Sequence, residues 1–133
     1  MKSTQEVLES HLHSFGQGDL DGILSDYAPD AILFTQGGPL KGRDAIQSLF
    51  VAMLSEFSKP GARFSLSQQS IEGDYAYIVW TAETADNIYE LVTDTFHVRG
   101  GKIAVQSFAA KTAPKATNDG GVMRVGLREA PRH

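Results

Sequence analysis

From Arg63 onward the chain reads as strand, whereas up to Phe57 it reads mainly as helix. That division decides the fold class, because helices that come first must cover a sheet built from the second half. Four segments carry the strand pattern: Arg63 to Glu72, Tyr75 to Glu83, Ile88 to Val98 and Ile103 to Thr112. They are separated by Gly73-Asp74, Ala85-Asp86-Asn87 and Gly100-Gly101-Lys102, all short turn signals. Strands joined this way pair antiparallel with their sequence neighbours. Three helices upstream of them predict an α+β domain, with the helices packed on one face of a strongly curved antiparallel sheet.

The helices are legible from period and caps. Ser3 followed by Glu6 forms a capping box, and Val7, Leu8, Leu12 and Phe15 recur at helical spacing, which predicts a helix over Thr4 to Phe15. His11 lies on its apolar face and His13 points away. Gly16 and Gly18 end it. Asp19 caps a short second helix, Leu20 to Tyr27, with Ile23, Leu24 and Tyr27 inward, and Pro29-Asp30 breaks it. Ala31 to Thr35 is a short strand and Gln36-Gly37-Gly38-Pro39 a turn. Arg43 to Phe57 is the third helix, its inner face carrying Ile46, Leu49, Phe50, Met53, Leu54 and Phe57, and Lys59-Pro60-Gly61 stops it.

Composition removes several function classes. The chain has 133 residues, enough for one domain with its own core. A net charge of −4, without a basic run, argues against nucleic acid or an anionic membrane as partner. No apolar run approaches the roughly 18 residues of a membrane span, and the first ten residues lack the apolar core of a signal peptide. There is no cysteine, so no disulfide, thiolate nucleophile or cysteine metal ligand. A cytoplasmic location fits. The four histidines contain no HExxH pattern, and no metal site is expected.

Four pieces of sequence carry a resemblance. They are Gly18-Asp19-Leu20-Asp21-Gly22-Ile23, Tyr27-Ala28-Pro29-Asp30-Ala31, Gly42-Arg43-Asp44-Ala45-Ile46, and Thr93-Asp94-Thr95-Phe96-His97-Val98 with Gly101-Lys102-Ile103. Together they resemble NTF2-like proteins, the cystatin-like α+β superfamily that includes SnoaL-like proteins and ketosteroid isomerases. The resemblance runs from about Ser3 to Thr112. It implies a domain over 1–113, shaped as a cone whose helices and concave sheet enclose a small, mostly apolar pocket, with no cofactor.

The resemblance also implies site residues. The isomerases place an aspartate base where this chain has Thr35, and a hydroxyl cannot shuttle a proton at neutral pH as a carboxylate does. Steroid isomerisation is therefore not expected. Their oxyanion hole pairs a tyrosine with a protonated aspartate; those positions fall on His11 and Asp94. Strand alternation puts Val92, Asp94, Phe96 and Val98 on one face. A carboxyl among apolar neighbours has a raised pKa, so Asp94 is a candidate acid or base. His11 facing it would complete a dyad, with His11 as proton carrier and Asp94 as its orienter. Further pocket residues are expected from Leu24 and Tyr27, from Leu49 and Met53, and from Phe96. Tyr77, Val79 and Thr81 are expected on the concave face as well. Trp80 and Ile78 then fall on the convex face, where a second subunit would cover them, making a homodimer through the sheet.

Three functional classes follow. The first is a cofactor-independent acid–base enzyme, such as an isomerase, cyclase, dehydratase or hydrolase, acting on a small hydrophobic molecule. The others are a non-catalytic ligand-binding module and an oligomerisation domain. Residues 114–133 read as an extension with a strand-competent piece at 122–127. It is expected to dock on the domain or on a partner subunit, or to lie across the pocket mouth.

Overall fold

A computed structural model describes residues 1–115; the strand expected at 122–127 and the docking of the extension lie outside them. Three helices, α1 (Thr4–Gly16), α2 (Leu20–Ser25) and α3 (Gly42–Phe57), accompany six strands. The strands are β1 (Tyr27–Thr35), β2 (Gly38–Lys41), β3 (Arg63–Glu72), β4 (Tyr75–Glu83), β5 (Asn87–Arg99) and β6 (Lys102–Pro114). They form one sheet in the order β2-β1-β6-β5-β4-β3. Every pairing is antiparallel except that of β1 with β6. Among the described residues no helix is long and apolar enough to cross a membrane.

The capping box forms as the sequence implies: the Glu6 amide donates to Ser3 Oγ at 3.1 Å, and the Ser3 amide donates to Glu6 Oε1 at 2.8 Å. Asp19 Oδ1 accepts from the Gly22 amide at 3.0 Å and starts α2. That helix stops at Ser25, two residues before the expected end. The reason is tertiary. The Asp26 carbonyl accepts from the Ile103 amide at 2.8 Å, and Tyr27 is already in register with Ile103. Tyr27 is therefore the first residue of β1, not the last of α2. Arg43 repairs the disturbed ladder that follows, since its guanidinium donates twice to the Tyr27 carbonyl.

The expected turn at residues 36–39 is half strand. Gly38 to Lys41 pairs with β1 through a hairpin. Pro39 lacks an amide proton and is tolerated because β2 is an edge strand.

Curvature has an identifiable source. Ser67, Glu90 and Ala104 are each one residue in excess of the partner strand, so each is a bulge. Bulges bend a strand and increase its twist, and those on β3, β5 and β6 fold the sheet over the helices. They also reset alternation. Ile103 and Ala104 are both buried, and beyond them Gln106, not Val105, turns inward. Within the fold, Ile23, Leu33, Ile46, Ile78 and Val92 are almost wholly buried. Each such side chain contributes about 1.5–3 kcal/mol relative to an exposed position.

The inner face of β4 carries Ala76, Ile78, Trp80 and Ala82, all buried. Tyr77, Val79 and Thr81 therefore point to the outer face, the reverse of the expectation. Both faces of this strand are aromatic and β-branched, so its residues offer no polar marker of which side is inside. Trp80 and Ile78 likewise move indoors, and the argument for a second subunit built on them falls away. The outer face instead presents Tyr75, stacked on His97 with ring centroids 4.7 Å apart, and Tyr77.

Candidate functional site

A cavity of about 40 Å³ lies between α1, α3 and the inner sheet face. From α1 it is bordered by His11, Leu12 and Phe15, and from α3 by Leu49, Phe50 and Met53. The sheet contributes Ile78, Trp80, Asp94, Phe96, Gln106 and Phe108, with Leu33 and Phe64 at the sides. An adjoining hollow of about 210 Å³ shares Leu12, Phe15 and Phe64 with it and forms a vestibule towards Arg63. Among the described residues the lining contains neither lysine nor arginine.

The expected site residues divide into two groups. His11, Asp94, Leu49, Met53 and Phe96 border the cavity. Thr35, Leu24, Tyr27, Tyr77, Val79 and Thr81 do not. Thr35 Oγ1 donates to the Gly38 carbonyl at 2.8 Å and accepts from the Gly37 amide at 3.1 Å, so it closes the β1–β2 turn. Leu24 packs on the core away from the cavity, because α2 lies outside it. Tyr27 sits beneath the lining with no exposed surface.

Asp94 is the polar floor. Trp80 Nε1 donates to its Oδ1 at 2.8 Å, and Gln106 Nε2 donates to its Oδ2 at 2.8 Å. The Tyr27 hydroxyl donates to Gln106 Oε1 at 2.5 Å, which fixes which way round the amide lies. Burial raises the Asp94 pKa and the two N–H donors hold it back, leaving it at about 6. A carboxyl with that value is half-ionised near pH 6 and keeps a protonated minority at neutrality, so it can both give and take a proton. Sequence reasoning missed Gln106 and placed Trp80 on the wrong face. Parity after the Ala104 bulge decides Gln106, and bulges leave no composition signal here; Trp80 lies on the regularly alternating β4, whose two faces are both apolar.

His11 stands beside this floor without a hydrogen bond to Asp94, so the expected direct dyad does not form. The carboxylate oxygens are already engaged by Trp80 and Gln106, and the imidazole Nδ1 turns the other way, to 3.8 Å from Asp26 Oδ2. Edges of Tyr27, Phe50 and Phe96 pack around the ring at centroid distances of 5.5, 5.7 and 5.6 Å. Burial in that aromatic nest pulls the His11 pKa down to about 4. Among the described residues, no three His, Asp or Glu side chains come together as a metal would need.

A family model for the SnoaL-like domain matches residues 8–106. The chain belongs to the SnoaL-like family. No curated protein matches the sequence. Among solved structures, this SnoaL-like chain superposes on SalBIII, described as an epoxide hydrolase/cyclase-like enzyme in pyran ring formation of the polyether salinomycin. The TM-score is 0.71 at 16% identity, covering 84% of this chain and 95% of that one. An NTF2-like protein of unknown function from Cytophaga hutchinsonii matches with a TM-score of 0.66 at 10% identity, covering 84% and 92%. A de novo designed protein with a curved β-sheet matches with 0.69 at 16%, covering 81% and 84%. At these identities the likeness concerns the fold, which is NTF2-like.

Proposed function

We propose that this SnoaL-like domain is a cofactor-independent acid–base enzyme for a compact, uncharged, largely apolar molecule, with Asp94 as the group that moves the proton. The observation that carries this reading is the Asp94 carboxyl at the floor of an apolar cavity, held by two N–H donors, where burial pushes its pKa up to about 6. A side chain buried only for packing would be apolar; a buried carboxyl without a cation is costly and stands where chemistry needs it. The lining disfavours anions, since among the described residues it offers a carboxylate and no cationic side chain. A ligand carbonyl or hydroxyl would meet Asp94 while its hydrocarbon part fills the ring of Phe15, Phe50, Phe96 and Phe108. The likeness to SalBIII supports ring-forming or ring-opening chemistry as the reaction class to try first.

Proton transfer can be tested before the natural substrate is found. Small cyclic ketones incubated in D2O with the protein should exchange their α-protons, followed by NMR. The Asp94→Asn variant should lose that exchange by about 10²–10⁴-fold, the usual contribution of a positioned acid or base. Ligands that bind equally to both proteins with no exchange in either would make the domain a binding module instead.

A further inference from the structure

Among the described residues, two buried polar side-chain atoms lack a hydrogen-bond partner: His11 Nδ1 and Asp26 Oδ2. They face each other at 3.8 Å, on side chains 6% and 2% exposed. Buried polar atoms are nearly always paired. Two orphans of complementary kind at this separation are resolved by one contact, Nδ1–H donating to Oδ2, which a shift of about 1 Å would complete.

We infer that Asp26 is a positioning residue for the cavity: it holds His11 as the Nδ1–H tautomer and turns the Nε2 lone pair towards the ligand as a proton acceptor. The inference rests on the acid–base reading of the same cavity and adds a second group to it. Asp26 is the C-cap residue of α2, so its place is fixed by backbone on both sides. The Ser10 hydroxyl donates to its Oδ1 at 2.9 Å, and the Lys2 ammonium lies 3.9 Å from the same oxygen. Burial pushes the Asp26 carboxyl up, while Ser10, Lys2 and Lys102 oppose that and Asp19 adds to it. One oxygen is thus occupied by groups that favour the anion, and the other is left for the imidazole. Besides Asp26, Tyr27, Phe50 and Phe96 pack around the His11 ring, and Asp94 borders the same cavity. When Nε2 takes a proton from a ligand C–H or O–H, the imidazolium forms against the Asp26 carboxylate. The electron pair stays on the ligand, where a proton from Asp94 can meet it, so no oxidant or co-reactant is required. The sequence reading took Asp94 as the orienter of His11; the geometry gives that role to Asp26 and leaves Asp94 free to act from the opposite side.

The test is long-range 15N–1H NMR of histidine-labelled protein without ligand, with His11 assigned by its loss in His11→Gln. The wild type should show His11 as Nδ1–H. Asp26→Ala should convert it to Nε2–H. Asp26→Asn keeps the shape and one acceptor oxygen; it should retain Nδ1–H yet lower the His11 titration midpoint by about one pH unit or more, since an opposite charge at this range is lost. If Asp26→Ala does not fold, the Asp26→Asn midpoint decides. His11 as Nε2–H in the wild type, or a tautomer and midpoint indifferent to Asp26, overturns the inference. Because no ligand is used, an Nδ1–H result stands even if the ketone exchange assay fails, and the two readings are judged separately.

Discussion

Two buried titratable side chains on one cavity pull the acid stability of the protein in opposite directions. Asp94 is ordinary in the unfolded chain at 3.8 and raised to about 6 when folded. Between those values the folded state holds the extra proton, so Asp94 makes stability fall as pH rises through about 4 to 6. His11 is ordinary at 6.5 unfolded and lowered to about 4 when folded. There the unfolded chain holds the extra proton, so His11 makes stability fall as pH drops through about 6.5 to 4. Each effect is about 3 kcal/mol from the size of the shift, and over the shared window they nearly cancel. Removing one should uncover the other. Urea denaturation at pH 4, 5, 6 and 7 should show that Asp94→Asn steepens the loss of stability on acidification relative to wild type. His11→Phe should do the reverse and gain stability as pH falls towards 4. If both variants run parallel to the wild type, neither side chain is buried in the ionisation state assigned here.

At the scale of elements, the end of α3 is tied to the β4–β5 turn through one carboxylate. Glu56 accepts from Thr84 Oγ1 at 2.6 Å, Asn87 Nδ2 at 2.8 Å and the Tyr89 hydroxyl at 2.8 Å. Burial pushes Glu56 up, but those three donors outweigh it and hold the carboxyl below its ordinary value. Glu56→Ala should cost about 1.5–3 kcal/mol by urea denaturation, the range for bonds to a charged acceptor. Amide exchange should rise at Thr84 to Tyr89 before it rises elsewhere. Glu56→Gln should recover only part, because its amide nitrogen brings a donor where three donors already converge. An unchanged midpoint in Glu56→Ala would mean that packing alone holds the turn.

Much of this element layout was legible from the sequence. The capping box at Ser3, the Asp19 cap, the helical stripe of α3 and the four strands set off by short turns follow from local rules, and local rules act in this fold wherever no distant strand competes. The failures are all tertiary. Pairing of Tyr27 with Ile103 cut α2 short, and β1 drew Gly38 to Lys41 into an edge strand. For the site, helical period put His11 on the apolar face of α1; alternation put Asp94 and Phe96 on one face of β5, and the resemblance made that face the inner one. Gln106 required knowing that Ala104 bulges, and Trp80 required knowing which of two apolar faces of β4 meets the helices. Asp26 was hidden because its neighbour across space, His11, is fifteen positions away on a different helix.

Across the whole molecule, the one tryptophan stands where core, cavity and carboxyl meet. Trp80 borders the cavity, donates to Asp94 and packs against Phe57 and Phe64 at centroid distances of 6.4 and 5.0 Å. Its fluorescence should therefore report the site and the fold together. Ionisation of Asp94 places a charge 2.8 Å from the indole nitrogen, so emission should titrate with a midpoint near pH 6, and Asp94→Asn should abolish that transition. A ligand in the cavity should shift the emission and also raise Tm. At a hundredfold excess over Kd, linkage adds about 2.7 kcal/mol, which for a domain of this size is on the order of 10 °C. The two readouts must move together, since a molecule bound on the outer sheet face would raise Tm and leave Trp80 unchanged. A pH-independent emission in the wild type would place the Asp94 charge elsewhere, and a Tm gain without an emission change would move the ligand out of the cone.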